Sequence, residues 1–310
     1  MKKDYIKTFF VGISVASFLV FATTASATVW HVPEDFVTIQ LAIYSPNVEN
    51  GDTILVGPGL HAGALVDKSV EIKGIGGATI NAGPAHGSGL IQGFRLLAGS
   101  DGTTISHLSF EVDLVIMNGD AVNDVSVSQC TFINSIHAIS NWRGSRWNID
   151  HNEIIDLRTD CGGGIGILIA DWTGGVVTDN VVAHNKIYGT LHVAEGDCGG
   201  YCGTGIVIYA DFRWGGAGAD PIAYNRVIKN KVSLVSDTPD VVDVVAFELT
   251  DTRDDPDSVV VHDNSIGFND FRGTELQIAL WPEDLGNVND ISRNLGNNRG
   301  HGLHPKVFLK

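Results

Sequence analysis

Ile149-Asp150-His151-Asn152-Glu153-Ile154 carries a grammar that returns along most of this 310-residue chain: apolar, two residues, Asn, one residue, apolar. It recurs as Val177…Asn180…Val182, Ile222…Asn225…Val227 and Val261…Asn264…Ile266, then fades at Ile291…Asn294…Leu295. Upstream, Ile105…Leu108…Phe110 and Val127…Cys130…Phe132 keep the frame with another central residue. Positions 108, 130 and 152 are 22 apart, and the later gaps of 28, 45, 39 and 30 put the surplus in inserted loops. A unit this short cannot bury its apolar side alone and must stack on its neighbours. It is too short for paired helices, and its runs are β-branched and alternating, so each unit reads as a coil of short strands. Stacking sets like residues about 4.8 Å apart. The Asn column then becomes an inward ladder of amides, bonded to one another and to freed backbone.

The stretch from Trp30 to Ile80 reads as a cap and the first coils. Thr38 is placed to cap a short helix whose Ile39, Ala42 and Ile43 share one face. That face closes the open end of the first coil, and Val70, Ile72 and Ile80 continue the stack. The repeats, with the opening VPEDFVTIQLAI…NGDTILVGPG…KSVEIKGIGGATI, resemble the right-handed parallel β-helix superfamily, which includes pectate-lyase-like proteins. The opening is similar to that of exported β-helix proteins, pectinesterase-like ones among them. The resemblance covers residues 29 to 298. It implies an all-β, single-stranded right-handed parallel β-helix, a solenoid of about nine or ten coils with a short N-terminal capping helix.

Lys2, Lys3 and Lys7 precede an apolar run from Phe9 to Ala22, and Ala25-Ser26-Ala27 offers a small-residue cleavage site. Residues 1–27 therefore read as a secretory signal peptide, and 28–310 as the β-helix domain, secreted or periplasmic. The apolar run is too short to span a bilayer comfortably, and no later segment is a candidate, so no membrane span remains after signal removal. Losing the leader takes the formal charge from −16 to −18. Such a surface repels nucleic acid and anionic lipid. It also opposes unaided binding of polyuronates unless a divalent cation bridges the charges.

Each coil is read as two main strands and their turns. The ladder strands form one column; the other holds 114–117, 136–140, 165–170, 206–210, 244–250 and 276–280. Aligning Asp171, Asp211 and Asp251, which are 40 apart each time, puts Ile167, Ile169, Val207, Tyr209, Phe247 and Leu249 inside. Leu168, Ile208, Glu248, Ala279 and Trp281 then face out. So apolar an outer face implies a covering loop, a ligand groove or a protein partner. Insertions precede this strand at 158–164, 189–203 and 234–242 and follow it at 213–219, 252–257 and 281–287. Solenoids place function on loops clustered along one face.

Asn118, Asn141, Asp171, Asp211 and Asp251 leave that strand as a column of turn residues. Stacked carboxylates repel, which raises one pKa or recruits a cation, and either serves acid/base work on sugars. Asx residues also favour turns by bonding their own backbone, so both roles stay open. Trp142, Trp172, Phe212 and Trp281 run beside the acids. Aromatic faces suit the C–H faces of pyranoses, although rings folded over the helix edge would look the same. Asp251, Asp254, Asp255 and Asp257 offer carboxylates for calcium, or form a solvated acidic turn. Cys130 falls in the ladder column as a buried thiol. Asp160-Cys161-Gly162-Gly163 and Asp197-Cys198-Gly199-Gly200 repeat one phrase, and export favours a disulfide. Cys161–Cys202 is the expected pair by height along the helix, with Cys161–Cys198 as the alternative and a zinc site with His192 a third arrangement.

Enzyme motifs are incomplete. Trp147-Asn148-Ile149-Asp150-His151 resembles the WIDH stretch of pectate lyases, with an inserted Asn and no Arg-x-Pro-x-x-Arg downstream. Gly300-His301-Gly302 is similar to a polygalacturonase motif, whose Asn-Thr-Asp partner is missing, as are the Gln and Asp motifs of pectinesterases. The expected function is an exported protein that binds or processes a polysaccharide, as a lyase, hydrolase or epimerase, along the face holding Asp171, Asp211 and Asp251. The alternative is a non-catalytic envelope or surface module.

Overall fold

The computed structural model describes residues 27–160, 163–172, 174–194, 203–211, 220–239, 243–252, 259–297 and 299–301. Within them the chain is a parallel β-helix. Its strands form parallel sheets of ten, nine, seven and three strands, and each coil climbs one strand spacing. The expected capping helix spans Ile39–Tyr44, with the Thr38 hydroxyl accepting from the Leu41 N–H at 3.2 Å and Ile39, Ala42 and Ile43 buried. No described helix is long and apolar enough to cross a membrane. Residues 1–26 of the expected signal peptide lie outside the described residues.

Like residues stack in columns, as the repeat demands. Along the ten-stranded sheet, Ile54, Ile72, Ile105, Val127, Ile149, Val182, Val227 and Ile266 stand above one another, all buried. Along the seven-stranded sheet the column runs Ile80, Phe110, Phe132, Ile154, Ile187, Val232, with the Phe110 and Phe132 rings stacked at 5.1 Å. Each of these side chains contributes about 1.5–3 kcal/mol by burial.

Two strands per coil proves too few: a third runs through most coils, and the three-stranded sheet of Val177–Thr178, Ile222–Ala223 and Val261–His262 adds another in the later ones. The run after the ladder Asn is a third sheet, including Thr131–Ser135, Glu153–Arg158 and Lys186–His192. It is divided from the ten-stranded sheet by a sharp corner. The residue before each ladder position makes that corner with a left-handed backbone: Gln129, His151, His184, Lys229 and Phe268 have φ between 53° and 60°.

There are also two ladders where one was expected. Asn152, Asn185, Asn230, Asn269 and Asn294 form one, each Nδ2 donating to the next Oδ1 at 2.9–3.0 Å. Asn180, Asn225, Asn264 and Asn289 form the other, at 2.8–2.9 Å, with Asn141 reaching Asn180 from below at 3.1 Å. The expected column mixed them, since Asn152 and Asn294 belong to the first and Asn180, Asn225 and Asn264 to the second. The cause lies in the later coils, where Val177…Asn180…Val182…Asn185…Ile187 satisfies the same grammar twice. Strand pairing matches Ile149 with Val182, not with Val177.

Cys130 sits at the foot of the first ladder, where its N–H donates to Asn152 Oδ1 at 3.1 Å. Burial pushes its thiol up to about 12. Since the thiolate is the reactive form, iodoacetamide at pH 8 should leave Cys130 unmodified in the native protein and label it once urea unfolds the chain. Native labelling of Cys130 at the rate of a free thiol would contradict the buried ladder position.

Candidate functional site

The nine-stranded sheet carries the expected face, and its register corrects the alignment drawn from the acids. Ile167, Ile206, Phe247 and Ile278 form one column, and Ile169, Ile208, Leu249 and Leu280 another, both in the core. Outward columns hold Leu168, Val207, Glu248 and Ala279, then Trp142, Ala170, Tyr209, Thr250 and Trp281. Val207 and Tyr209 therefore face out and Ile208 faces in, the reverse of the expectation. Asp171 stands level with Ala210 and Asp251, and Asp211 lies one residue further along. Spacing the acids 40 apart was misleading; the apolar pairs Ile167/Ile169, Ile206/Ile208 and Phe247/Leu249 are 39 and then 41 apart, and these set the register. Asn118 and Asn141 are level with Ile169, not with Asp171, and are buried.

The outer face is covered within the chain itself: Leu168, Val207, Val245 and Ala279 are all buried. Of the three explanations for an apolar outer face, covering by the chain is the one observed. Leu168 and Ile208, the residues that motivated a protein partner, offer no free surface.

At the exit of this sheet two tryptophans come together. Trp142 closes the strand His137–Trp142, and Asn118 holds its peptide by accepting from the Trp142 N–H at 2.6 Å and donating to its carbonyl. Trp172 follows Asp171, whose Oδ2 accepts from the Gly174 and Gly175 N–H groups at 2.6 and 2.9 Å. That carboxylate fixes the turn carrying the ring. The two ring centroids are 6.1 Å apart with planes tilted by 58°, and Trp172 is 42% exposed. Trp142 packs on the outer cluster of Ile165, Leu168, Ala170 and Val207, with Tyr209 beside it. Trp281 shares the Trp142 column four coils on. Phe212 lies outside the described residues.

Sequence reading missed two basic groups at this end of the sheet. Arg95 lies across Gly119, the residue level with Trp142; a side chain at 119 would put its Cβ 2.8 Å from Arg95 Nε. Arg143 directly follows Trp142. The Nε groups of Arg95 and Arg143 are buried with no hydrogen-bond partner, which buried donors rarely are. For Arg143, its place next to Trp142 in sequence was the available signal; Arg95, two strands away and level with Ser140, offered none. Glu248, placed outward by sequence, is buried and accepts from the Thr204 and Thr250 hydroxyls at 3.1 and 2.6 Å. His137 bonds Ser140 Oγ at 2.9 Å on the same face, and burial lowers its imidazole to about 4.

Asp171, Asp211 and Asp251 are buried at the strand exits. Asp171 and Asp251 are separated by one intervening strand, so their backbones stand about 9.6 Å apart, and Asp211, expected level between them, lies one residue further along. Asp254, Asp255 and Asp257 lie outside the described residues, as do Cys161, Cys198 and Cys202.

No family model matches the chain, and no curated protein matches it. A solved structure of pectin methylesterase in complex with a hexasaccharide is similar at 14% identity and a TM-score of 0.37, covering 80% of this chain and 79% of that one. A likeness at that level assigns neither activity nor substrate.

Proposed function

We propose that the protein is exported and binds a polysaccharide along the exit of the nine-stranded sheet, processing it through Asp171, Asp211 and Asp251. The observation that carries this reading is the Trp142–Trp172 pair, with Trp172 partly exposed beside Asp171. Tilted rings present apolar surface to two sugar faces, and the guanidinium groups of Arg95 and Arg143 supply donors for hydroxyl or acidic substituents. The charged leader residues, apolar run and Ala25-Ser26-Ala27 support export. If the acids turn substrate over, the two-step spacing of Asp171 and Asp251 favours an acid and a base with water between them. A nucleophile pair would stand at about 5 Å.

A non-catalytic module is the second reading, favoured by one feature. Asp171 already holds the turn that carries Trp172, which is a complete structural role. The test is to screen the mature protein against immobilised glycans with and without calcium. Retention on one glycan class is expected, and retention that requires calcium would point to Asp251, Asp254, Asp255 and Asp257 as its ligands. Failure to retain any glycan in either condition would overturn the proposal.

A further inference from the structure

Asp150, His151 and His184 lie away from the tryptophan face, at the corner between the ten- and seven-stranded sheets. We propose that they bind a divalent transition-metal ion of borderline softness, zinc above all. Asp150 Oδ1 is 2.8 Å from His151 Nδ1 and 3.4 Å from His184 Nδ1. One donor atom from each of the three residues lies within 4.8 Å of the others. Ligands around a tetrahedral zinc with bonds of about 2.0–2.1 Å stand about 3.3 Å apart, so the donors are already near ligand separation and it is the ring orientations that must change.

The backbone pins this set in place. His151 and His184 hold the same left-handed corner conformation, with φ of 54° each, in consecutive coils. Each directly precedes a ladder residue, and the N–H and side-chain amide of Asn152 both donate to Asn185 Oδ1 at 3.0 Å. The histidines therefore cannot move apart without breaking a buried ladder. Little ordering remains to be done on binding, which favours affinity.

Donor chemistry selects the ion. Two imidazoles and one carboxylate, with a further position open to water, suit zinc, copper(II) or nickel, whereas calcium prefers oxygen ligands throughout. The rings now stack, with centroids 4.7 Å apart and planes 17° apart. Nearly parallel rings point their lone pairs side by side, so both must turn about χ2 to converge on one ion. They are free to do so, the side chains being 58% and 40% exposed. Lys229 occupies the next level of the same corner column, and its positive charge opposes the ion.

Zinc alone is the probe, titrated into the chelator-stripped full chain by calorimetry. His151→Asn and His184→Asn are the variants, because Asn tolerates the left-handed conformation. One ion per chain should bind with a dissociation constant on the order of micromolar. Each variant should weaken it by at least about tenfold, the loss seen when even a partner of a metal ligand is removed. Lys229→Gln should tighten it, and millimolar calcium should not compete. Matching far-ultraviolet spectra would establish that the variants fold. Absence of binding at about 100 µM zinc, or binding unchanged in both His variants as the thiols of Cys161, Cys198 or Cys202 would give, overturns the site.

Discussion

Asn225→Leu lowers the unfolding free energy by about 3 kcal/mol, and Asn180→Leu by roughly half that, each reading resting on the cost of stranding buried polar groups. Leu has the same branching and number of side-chain heavy atoms as Asn, so no cavity opens and the loss is chiefly one of hydrogen bonds. Asn225 Oδ1 accepts from both the N–H and the Nδ2 of Asn180, while its Nδ2 donates to the Val177 carbonyl and to Asn264 Oδ1. Removing it strands the Asn180 N–H in the core and takes a bond from three other buried groups. Asn180 is buffered from below. Its loss strands the Trp147 N–H, but the Gly144 carbonyl keeps the bond it receives from Asn141 Nδ2 at 2.9 Å. Urea midpoints at constant m would rank the two. A midpoint for Asn225→Leu equal to wild type would mean that the ladder contributes nothing to stability.

The same corners explain what could be read from sequence and what could not. The cap was legible because Thr38 and the Ile39, Ala42, Ile43 face follow ordinary helix chemistry. The solenoid was legible because β-branched residues recur in every coil. The third sheet was hidden because its corner has no Gly or Pro to mark it. His151, His184 and Lys229 adopt the left-handed conformation themselves, at a cost of about 1–3 kcal/mol each, and the adjoining ladder bonds offset it. Residue types that signal no turn thus make one.

The register of the functional face failed for a different reason. Asp171, Asp211 and Asp251 sit where the strand gives way to loops, and loops are free to add or drop a residue. Inward Ile, Phe and Leu are not free, since a one-residue slip sends every side chain to the wrong face. Reading register from the core columns would have put Tyr209 outside beside Trp142. No such signal exists for Arg95, whose Nε packs where a side chain at position 119 would otherwise stand.

Trp172→Ala should cost about 2 kcal/mol of glycan binding, roughly thirtyfold in Kd, as loss of a partly exposed aromatic anchor does. Trp142→Ala should cost a similar amount and also loosen the outer cluster on which its ring packs. The acids need a variant that separates chemistry from architecture. Asp171→Ala cannot do so, because it strands the Gly174 and Gly175 amides and frees the turn carrying Trp172. Asp171→Asn keeps a neutral oxygen as acceptor for those amides and removes only the charge and the proton-transfer capacity. A processing enzyme should then keep its glycan affinity and lose turnover, with the same split in Asp211→Asn or Asp251→Asn according to which carboxylate does the chemistry. A binding module should show no turnover in wild type and near-native affinity in all three Asn variants. Should wild type cleave a glycan and all three Asn variants cleave it equally well, the carboxylates serve only to hold turns, and the proposed catalytic roles are wrong.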